Sequence, residues 1–524
     1  MAWLFLMVET RGFEGRDIIS IRDLDRADLE NILKQAAWVE GRFAPPPKTR
    51  AFIPQIMPSS GLKAASLFFE PSTRTRVSTE LALEALGVSV NGFAGIEGTS
   101  VKKGEPLHDT LLMFRGYGDN VVFMRHPLEG SARYAAEVLD IPLVNCGDGA
   151  NQHPTQTILD LYTIQQCQGK IDGLTVALVG DLKYGRTKHS LLMGLSKFKG
   201  INVLLVCPDA LKMSQSYIDY FKKMTGREPV FEPDLEKALG VADIVYMTRI
   251  QKERFPDTDD GRAEFQRFSG IYRLTRALIE KSHPKANMRI MHPLPRFKER
   301  LEIDMDVDGT PYAYYFEQAQ NGFFARVAVS GMILGLLGQD CEYVGEKEKP
   351  DFQRIRAKDM HERAFTRDFY RLENGTLIDH LEVGNAGAVL RALGIDTAHP
   401  NGPVIRVGGL PSRRYAGGKD VVGISGRELD LDDMSLVALV SDRATINYIR
   451  DGKVDRKLEV SAPKEVKGLV ACTNAKCITY PGNYEHVPTR FVNLQESPDD
   501  PLKLRCAYCE KEVSRGNIQL VGSS

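Results

Sequence analysis

Short, continuously apolar runs alternate with helical spacings through the first two thirds of the chain. Ala65-Ser66-Leu67-Phe68-Phe69 reads as a strand, and Val77, Leu81, Ala85 and Leu86 follow at helical spacing as far as Gly87. Thr175-Val176-Ala177-Leu178-Val179 predicts a buried strand, followed by a turn, a helix from His189 to Phe198, and a strand at Val203-Leu204-Leu205-Val206. Ile244-Val245-Tyr246 and Arg289-Ile290-Met291 predict two more. Strands that are apolar along their whole length and separated by helices belong to parallel sheets covered on both faces, so the fold class is α/β. No repeat of solenoid period interrupts the pattern.

The texture then changes. Between Glu342 and Asp368 about half the residues are charged and Pro350 intervenes, which reads as a solvated helix or linker. Beyond it come short strand patterns at Leu377-Ile378, Val404-Ile405-Arg406-Val407, Val421-Val422-Gly423-Ile424 and Leu436-Val437-Ala438-Leu439-Val440. A small α+β domain fits them.

With 524 residues, 43% apolar and 26% charged, the chain has a multi-domain globular composition, which excludes a disordered or fibrous one. Lys and Arg number 68 against 69 Asp and Glu. This balance argues against nucleic acid or an acidic membrane surface as the main partner, so any anion site is a local concentration of positive groups. The longest apolar candidate, Val327 to Leu337, is too short to span a bilayer and contains Ser330, Gly331 and Gly335. The opening Met1 to Val8 lacks a basic leader and runs into Glu9 and Arg11, so it reads as a mature start and the expected location is cytoplasmic.

Cys146, Cys167, Cys207 and Cys341 are scattered singly, whereas Cys472, Cys477, Cys506 and Cys509 form two close pairs. Two such pairs supply four thiolates for one tetrahedral structural zinc with no open position. Asp257-Thr258-Asp259-Asp260-Gly261 starts like a calcium loop but lacks the alternation and the closing Glu, and reads instead as a mobile acidic loop. Gly180 and Gly185 follow a strand without dinucleotide-binding spacing.

The strongest chemical signal is Phe69-Glu70-Pro71-Ser72-Thr73-Arg74-Thr75-Arg76. A strand ends, Ser72 stands as N-cap, and a helix begins at once. Unpaired backbone N–H groups, three hydroxyls and two guanidiniums are expected to converge there on a phosphate-sized anion.

Ser72-Thr73-Arg74-Thr75-Arg76 resembles the carbamoyl-phosphate signature of the aspartate and ornithine carbamoyltransferases. Further matching stretches follow in order: Ser100 to Glu105, Met124 to Pro127, Asn151 to Gln156, Gly180 to Arg186, Thr248 to Gln251 and His292 to Arg296. The last two point to the aspartate enzymes, because the ornithine enzymes carry His-Cys-Leu-Pro where this chain has His292-Pro293-Leu294-Pro295.

That resemblance implies two doubly wound parallel-sheet domains of the carbamoyltransferase fold: a carbamoyl-phosphate domain over residues 1–153 with a C-terminal helix near 318–341, and an aspartate domain over 154–317. It implies transfer of a carbamoyl group to L-aspartate in pyrimidine synthesis. Arg74, Ser72 and Thr73 would hold the phosphate, and Thr75, Arg125 and His153 would face the carbonyl oxygen. Gln156 would hold the carbamoyl amide, while Arg186, Arg249 and Gln251 would bind the dicarboxylate and the carbonyls of Pro293 and Leu294 would orient its amine. Ser100 and Lys103 would reach into a neighbouring subunit's site, making the enzyme at least a homotrimer. No catalytic metal is implied.

From Phe369 onward the chain resembles the regulatory chain of aspartate carbamoyltransferase, through Gly375 to His380, Leu410-Pro411-Ser412, Lys419-Asp420, Ala444 to Asn447 and Cys506 to Glu512. Beyond a charged linker at 342–368, this implies a nucleotide-binding domain at 369–462 and a zinc-binding β module at 463–524. Asp379, His380, Lys419, Asn447 and Lys457 fall on nucleotide-contacting positions. Gly423 replaces an expected lysine, and an aromatic expected near Gly452 is missing. A carbamoyltransferase for another amino acid, or an inactive nucleotide-sensing zinc module, stay open as alternatives.

Overall fold

The computed structural model describes residues 12–43, 60–250, 258–268, 270–296, 301–337, 356–357, 372–395, 404–412, 414–441, 443–497 and 500–521. Two compact units divide between Gly345 and Glu346.

The first unit holds two parallel sheets. Strands β1 (Lys63–Phe68), β2 (Ser89–Ala94), β3 (Val121–His126) and β4 (Leu143–Asp148) lie in the order β2-β1-β3-β4. Helices α1 (Arg26–Phe43), α2 (Thr73–Ala85), α3 (Leu107–Gly116) and α4 (Ser131–Val138) accompany them. Helix α5 (Pro154–Gln168) then leads to β5 (Thr175–Val179), β6 (Asn202–Val206), β7 (Val230–Phe231), β8 (Ile244–Met247) and β9 (Arg289–Met291), in the order β7-β6-β5-β8-β9. Their helices are α6 (Arg186–Leu195), α7 (Gln215–Thr225), α8 (Leu235–Val241), α9 (Asp259–Phe268) and α10 (Arg276–Lys281), and α11 (Tyr315–Ile333) closes the unit.

Strands β1 and β5, read as continuously apolar, are buried centres of the two sheets, as parallel pairing requires, while β9 lies at an edge. Strand β3, which the apolar pattern does not single out, is the second centre of the first sheet. Helices α5 and α11 are buried almost all round and share one core with α1 through Ile158, Leu161, Phe324, Val327, Ile32 and Leu33. No helix among the described residues is long and apolar enough to cross a membrane.

Several local expectations change. Val77 and Leu81 do not face the core: they are 39% and 38% exposed, and α2 buries Thr75, Thr79, Ala82 and Leu83 instead. Asp259-Asp260-Gly261 is not a loop but the first turn of α9, where acidic groups complement the helix dipole. Helix α6 starts at Arg186, three residues before the expected His189.

The second unit carries a six-stranded antiparallel sheet, in the order β10-β15-β14-β11-β13-β12. Its strands are β10 (Arg356–Ala357), β11 (Gly375–Glu382), β12 (Val404–Leu410), β13 (Lys419–Ser425), β14 (Thr445–Arg450) and β15 (Lys453–Glu459), with helices α12 (Ala386–Ala392) and α13 (Leu431–Val440). Strand β10 lies inside the charged stretch read as a linker. Helix α13 replaces the strand expected at Leu436–Val440. Asp430 and Asp433 form a capping box at its start, and that signal outranks a short apolar run whose period is ambiguous. A four-stranded antiparallel sheet follows: β16 (Glu465–Lys467), β17 (Arg490–Asn493), β18 (Lys503–Cys506) and β19 (Glu512–Ser514).

Candidate active site and metal centre

In parallel sheets, binding groups gather beyond the carboxyl ends of the strands. The motif residues follow that rule. Ser72 and Arg74 come after β1, and Arg125 lies near the end of β3. His153 comes after β4, Arg186 after β5, Arg249 after β8, and Pro293 and Leu294 after β9.

Ser72 occupies the N-cap of α2, but its hydroxyl makes no capping bond, so the first-turn N–H groups are not capped by it. Much of Arg74 remains open to solvent. Partial burial is nevertheless the first cause lowering its pKa, followed by repulsion from Arg125 and Arg249. Three guanidiniums therefore share one electrostatic environment. Arg76 is not a fourth: two positions along a helix turn the side chain to another face, and its NH1 meets Glu80 at 2.9 Å. Thr75, next to Arg74 in sequence, is buried, and Thr79 Oγ1 donates to its carbonyl at 2.8 Å.

The turn that presents His153 is tied by Asp148. This carboxylate accepts N–H groups from Gly130 at 2.7 Å, Asn145 at 2.9 Å, Asn151 at 3.0 Å and Gln152 at 3.0 Å. His153 is the N-cap of α5 and is buried. Burial pushes its imidazole well below the ordinary range, and Arg186, Arg125 and Arg326 push the same way. The ring is therefore neutral. Thr155 Oγ1 lies 3.4 Å from Nδ1, and a neutral ring keeps one N–H donor. Gln156 Nε2 donates to Asp160 Oδ1 at 2.9 Å, so its amide oxygen is the end left for a ligand.

Arg186 opens α6 and is buried, with NH1 donating to the Gly149 carbonyl. Gly147 has φ +116°, and a Cβ there would lie 3.1 Å from Arg186 Cζ, so only glycine admits the guanidinium this closely. Leu294, at φ 52°, donates its N–H to His292 Nδ1 at 2.8 Å, and His292 Nε2 lies 2.7 Å from Glu302 Oε1. Ser100 and Lys103 sit exposed on a 3-10 helix where Lys102 pairs with Glu97. Lys103 is not among the charges acting on Arg74 or His153 within the chain. Gln251 lies outside the described residues.

The four cysteines Cys472, Cys477, Cys506 and Cys509 are buried, and their sulfurs all lie within 4.8 Å of one another. Cys472 Sγ is 3.6 Å from Cys509 Sγ, and Cys477 Sγ is 3.9 Å from Cys506 Sγ. A tetrahedral zinc with Zn–S bonds of about 2.3 Å separates its sulfurs by about 3.8 Å, so the donor set fits that ion. Thr479 Oγ1, 3.2 Å from Cys477 Sγ, stands just outside the ligands.

Four family descriptions match the chain in order. Residues 16–166 match "Aspartate/ornithine carbamoyltransferase, carbamoyl-P binding domain" and residues 172–333 match "Aspartate/ornithine carbamoyltransferase, Asp/Orn binding domain". Residues 369–461 match the allosteric domain of the aspartate carbamoyltransferase regulatory chain, and residues 464–519 match its metal binding domain. The aspartate carbamoyltransferase catalytic subunit of Thermococcus kodakarensis is 45% identical over 326 residues, covering 62% of this chain and 99% of that one. That of Methanopyrus kandleri is 46% identical over 323 residues, covering 62% and 98%. The chain belongs to the aspartate carbamoyltransferase family. Aspartate transcarbamoylase from Trypanosoma cruzi, solved in complex with carbamoyl phosphate and aspartate, aligns with TM-score 0.56 and 36% identity, covering 62% of this chain and 98% of that one. The catalytic subunit of the M. jannaschii aspartate transcarbamoylase aligns with TM-score 0.54 and 39% identity, covering 61% and 98%.

Regulatory-chain domains of aspartate carbamoyltransferase are thus fused behind the catalytic ones. On their six-stranded sheet, Gly423, Leu377, Asn447 and Lys457 pair across β13, β11, β14 and β15 as one row. Asp379 stands two residues along β11. Burial would raise its carboxyl, but bonds from His380 and Lys419 outweigh this and hold it down to about 2. Lys419 Nζ lies 2.6 Å from Asp379 Oδ1. Gly423 offers this row no side chain where the family resemblance expects a lysine, and an added Cβ there would press on Ile405 at 3.3 Å.

Sequence reasoning missed the buried groups behind the site. Asp160, raised to about 7 by burial, also accepts from Gln318 and Tyr246. Arg326 is buried in α11 within reach of Asp160 and Cys146. Charged residues inside apolar helices were the available signal.

Proposed function

We propose that the first unit transfers the carbamoyl group of carbamoyl phosphate to the α-amine of L-aspartate, and that the second unit responds to nucleotides. The supporting observation is the convergence of Arg74, Arg125 and Arg249 on one side, with Arg186 beside a neutral His153 on the other. Positive and donor groups gathered in this way suit two anionic substrates that must meet.

The amine lone pair forms the C–N bond while the carbonyl pair moves onto oxygen. Collapse then breaks the C–O bond to phosphate, which leaves with the electron pair and takes up the amine proton. Arg74, Ser72, Thr73 and the first-turn N–H groups of α2 hold the departing phosphate. Thr75, Arg125 and the His153 ring face the oxyanion. With Gln156 Nε2 committed to Asp160, its oxygen accepts from the carbamoyl NH2. Arg186, Arg249 and Gln251 clamp the aspartate carboxylates, and the carbonyls of Pro293 and Leu294 orient the amine. No step needs a metal; zinc at the four cysteines, when bound, supplies a structural cross-link only.

Ser100 and Lys103 complete the site from a neighbouring subunit of a trimer. Val77, Leu81, Leu112, Met113 and Tyr117, exposed apolar groups on α2 and at α3, support such packing. Asp379, His380, Lys419, Asn447 and Lys457 contact the effector, and the gap at Gly423 weakens its triphosphate end.

Two variants test the division of the site. Arg249→Ala should raise the aspartate KM and lower kcat while sparing carbamoyl-phosphate binding. Arg74→Ala should lower the rate roughly 10³-fold through the phosphate end. The same loss in both, confined to aspartate, would overturn the assignment.

A further inference from the structure

Lys188 is the only buried lysine among the described residues. It projects from the first turn of α6, two positions beyond Arg186. Its Nζ donates to the Asp181 carbonyl at 3.2 Å, closing the Asp181–Gly185 loop onto the helix. That loop is tight: a Cβ on Gly185 would lie 2.3 Å from the same carbonyl, and Asp181 Oδ1 accepts the N–H groups of Lys183 at 3.1 Å and Tyr184 at 2.9 Å. On the other side, a Cβ on Gly180 would lie 3.4 Å from Lys188 Nζ and 2.9 Å from the Thr248 carbonyl. The ammonium thus lies beside Gly180 at the end of β5, and Gly180 in turn packs against the carbonyl of Thr248, the residue preceding Arg249.

The titratable groups facing it are Asp181 on its own loop, the Cys207 thiol beyond β6, and Glu302, whose carboxylate lies 2.7 Å from His292 Nε2. His292 and His189 feel the lysine as a like charge. Packing alone would not require an ammonium here, since an apolar chain of the same length fills the space without a desolvation cost.

We propose that Lys188 is a positioning residue for the aspartate half of the site: its ammonium fastens the loop that leads into Arg186 beside Gly180, against which the strand end that carries Arg249 packs. This rests on the reading of Arg186 and Arg249 as the carboxylate clamp. Burial lowers the lysine to about 7, against the pull of Asp181 and Glu302, so the tie is charged in mildly acidic solution and slackens above neutrality. Cys207, pushed to about 12, and His189, lowered to about 4, keep one charge state through that range. Asp160 also titrates at about 7, but it holds Gln156 at the carbamoyl end.

The experiment compares wild type, Lys188→Met and Arg249→Ala in steady-state assays from about pH 6 to about pH 9. Lys188→Met should raise the aspartate KM about tenfold at the acid end while the carbamoyl-phosphate KM stays within about twofold. The ratio of wild-type to variant kcat/KM for aspartate should fall toward one at the alkaline end, where wild-type Lys188 is itself neutral. A ratio below about twofold throughout, a ratio independent of pH, or an equal loss for carbamoyl phosphate would overturn the proposal. If Lys188→Met fails to fold, succinate binding to wild type saturated with carbamoyl phosphate decides: weakening with a midpoint near neutrality supports the tie, and a flat profile overturns it. An unchanged aspartate KM in Arg249→Ala would refute the clamp itself. Response of that variant without response of Lys188→Met refutes only the lysine's role.

Discussion

Adding one methyl group at Gly147 should separate aspartate binding from carbamoyl-phosphate binding. In Gly147→Ala the new Cβ would stand 3.1 Å from Arg186 Cζ and NH2 and 3.3 Å from NH1. Comfortable carbon–carbon separation is about 3.5–4.0 Å, so the guanidinium must retreat by about half an ångström. That end of the arginine can move cheaply, but it also donates through NH1 to Gly149 O, and both contacts cannot be kept. A backbone at φ +116° adds about 1–3 kcal/mol of strain for an L residue. The stability loss should therefore appear as a modestly lower Tm. A weakened charge-assisted bond to a carboxylate is worth about 1.5–3 kcal/mol, which corresponds to about a 10- to 100-fold rise in the aspartate KM. Initial rates with each substrate varied at saturation of the other would measure it, with circular dichroism as a control for folding. A folded variant whose aspartate KM stays within about twofold of wild type would refute the role given to Arg186 and its glycine seat.

Other consequences follow from the same geometry. Mixing inactive Lys103→Ala chains with inactive Arg74→Ala chains should restore part of the activity, because some interfaces then join two intact halves; no recovery after verified subunit exchange would rule out shared sites. Cys506→Ser should release zinc and unfold the residues around the four cysteines, since a hydroxyl is a poor replacement for a thiolate, while carbamoyl transfer is retained. Metal analysis that finds no zinc in the wild-type chain, or loss of transfer in Cys506→Ser, would contradict this. Asp379 is held below its unfolded carboxyl value, so the stability it contributes is present above about pH 4 and is lost as pH falls toward about 2. Replacing Lys419 with Met should shift acid unfolding of the regulatory sheet to higher pH; an unshifted midpoint would show that the pair contributes nothing.

Much of this arrangement is legible in the amino-acid order because it depends on local rules. Continuous apolar runs such as Thr175–Val179 announce a parallel sheet, a strand running straight into Ser72 announces a helix start, and paired cysteines announce a metal site. Direction is harder to read than identity. Arg74 and Arg76 look equivalent in the motif, but the helix turns one toward Arg125 and Arg249 and the other toward Glu80. Leu436–Val440 suits a strand as well as a helix until the Asp430 capping box is weighed. Val77 and Leu81 form an apolar stripe that faces outward, because Thr75 and Thr79 of α2 already occupy the side toward the core. Lys188, Asp160 and Arg326 escape sequence reading for a different reason. Such residues usually lie at the surface, and only the fold reveals that these three are enclosed beneath the site.

The central claim is that one set of cations joins carbamoyl phosphate to aspartate rather than to another amine. Incubating the purified full-length chain with ¹³C-labelled carbamoyl phosphate and, separately, aspartate or ornithine, then following the labelled carbonyl by NMR, tests it directly. The expected result is labelled N-carbamoyl-L-aspartate with equimolar phosphate release, no product from ornithine, and loss of the reaction in Arg74→Ala. Carbamoylation of ornithine in preference to aspartate, or no turnover by a folded, zinc-replete oligomer, would contradict it.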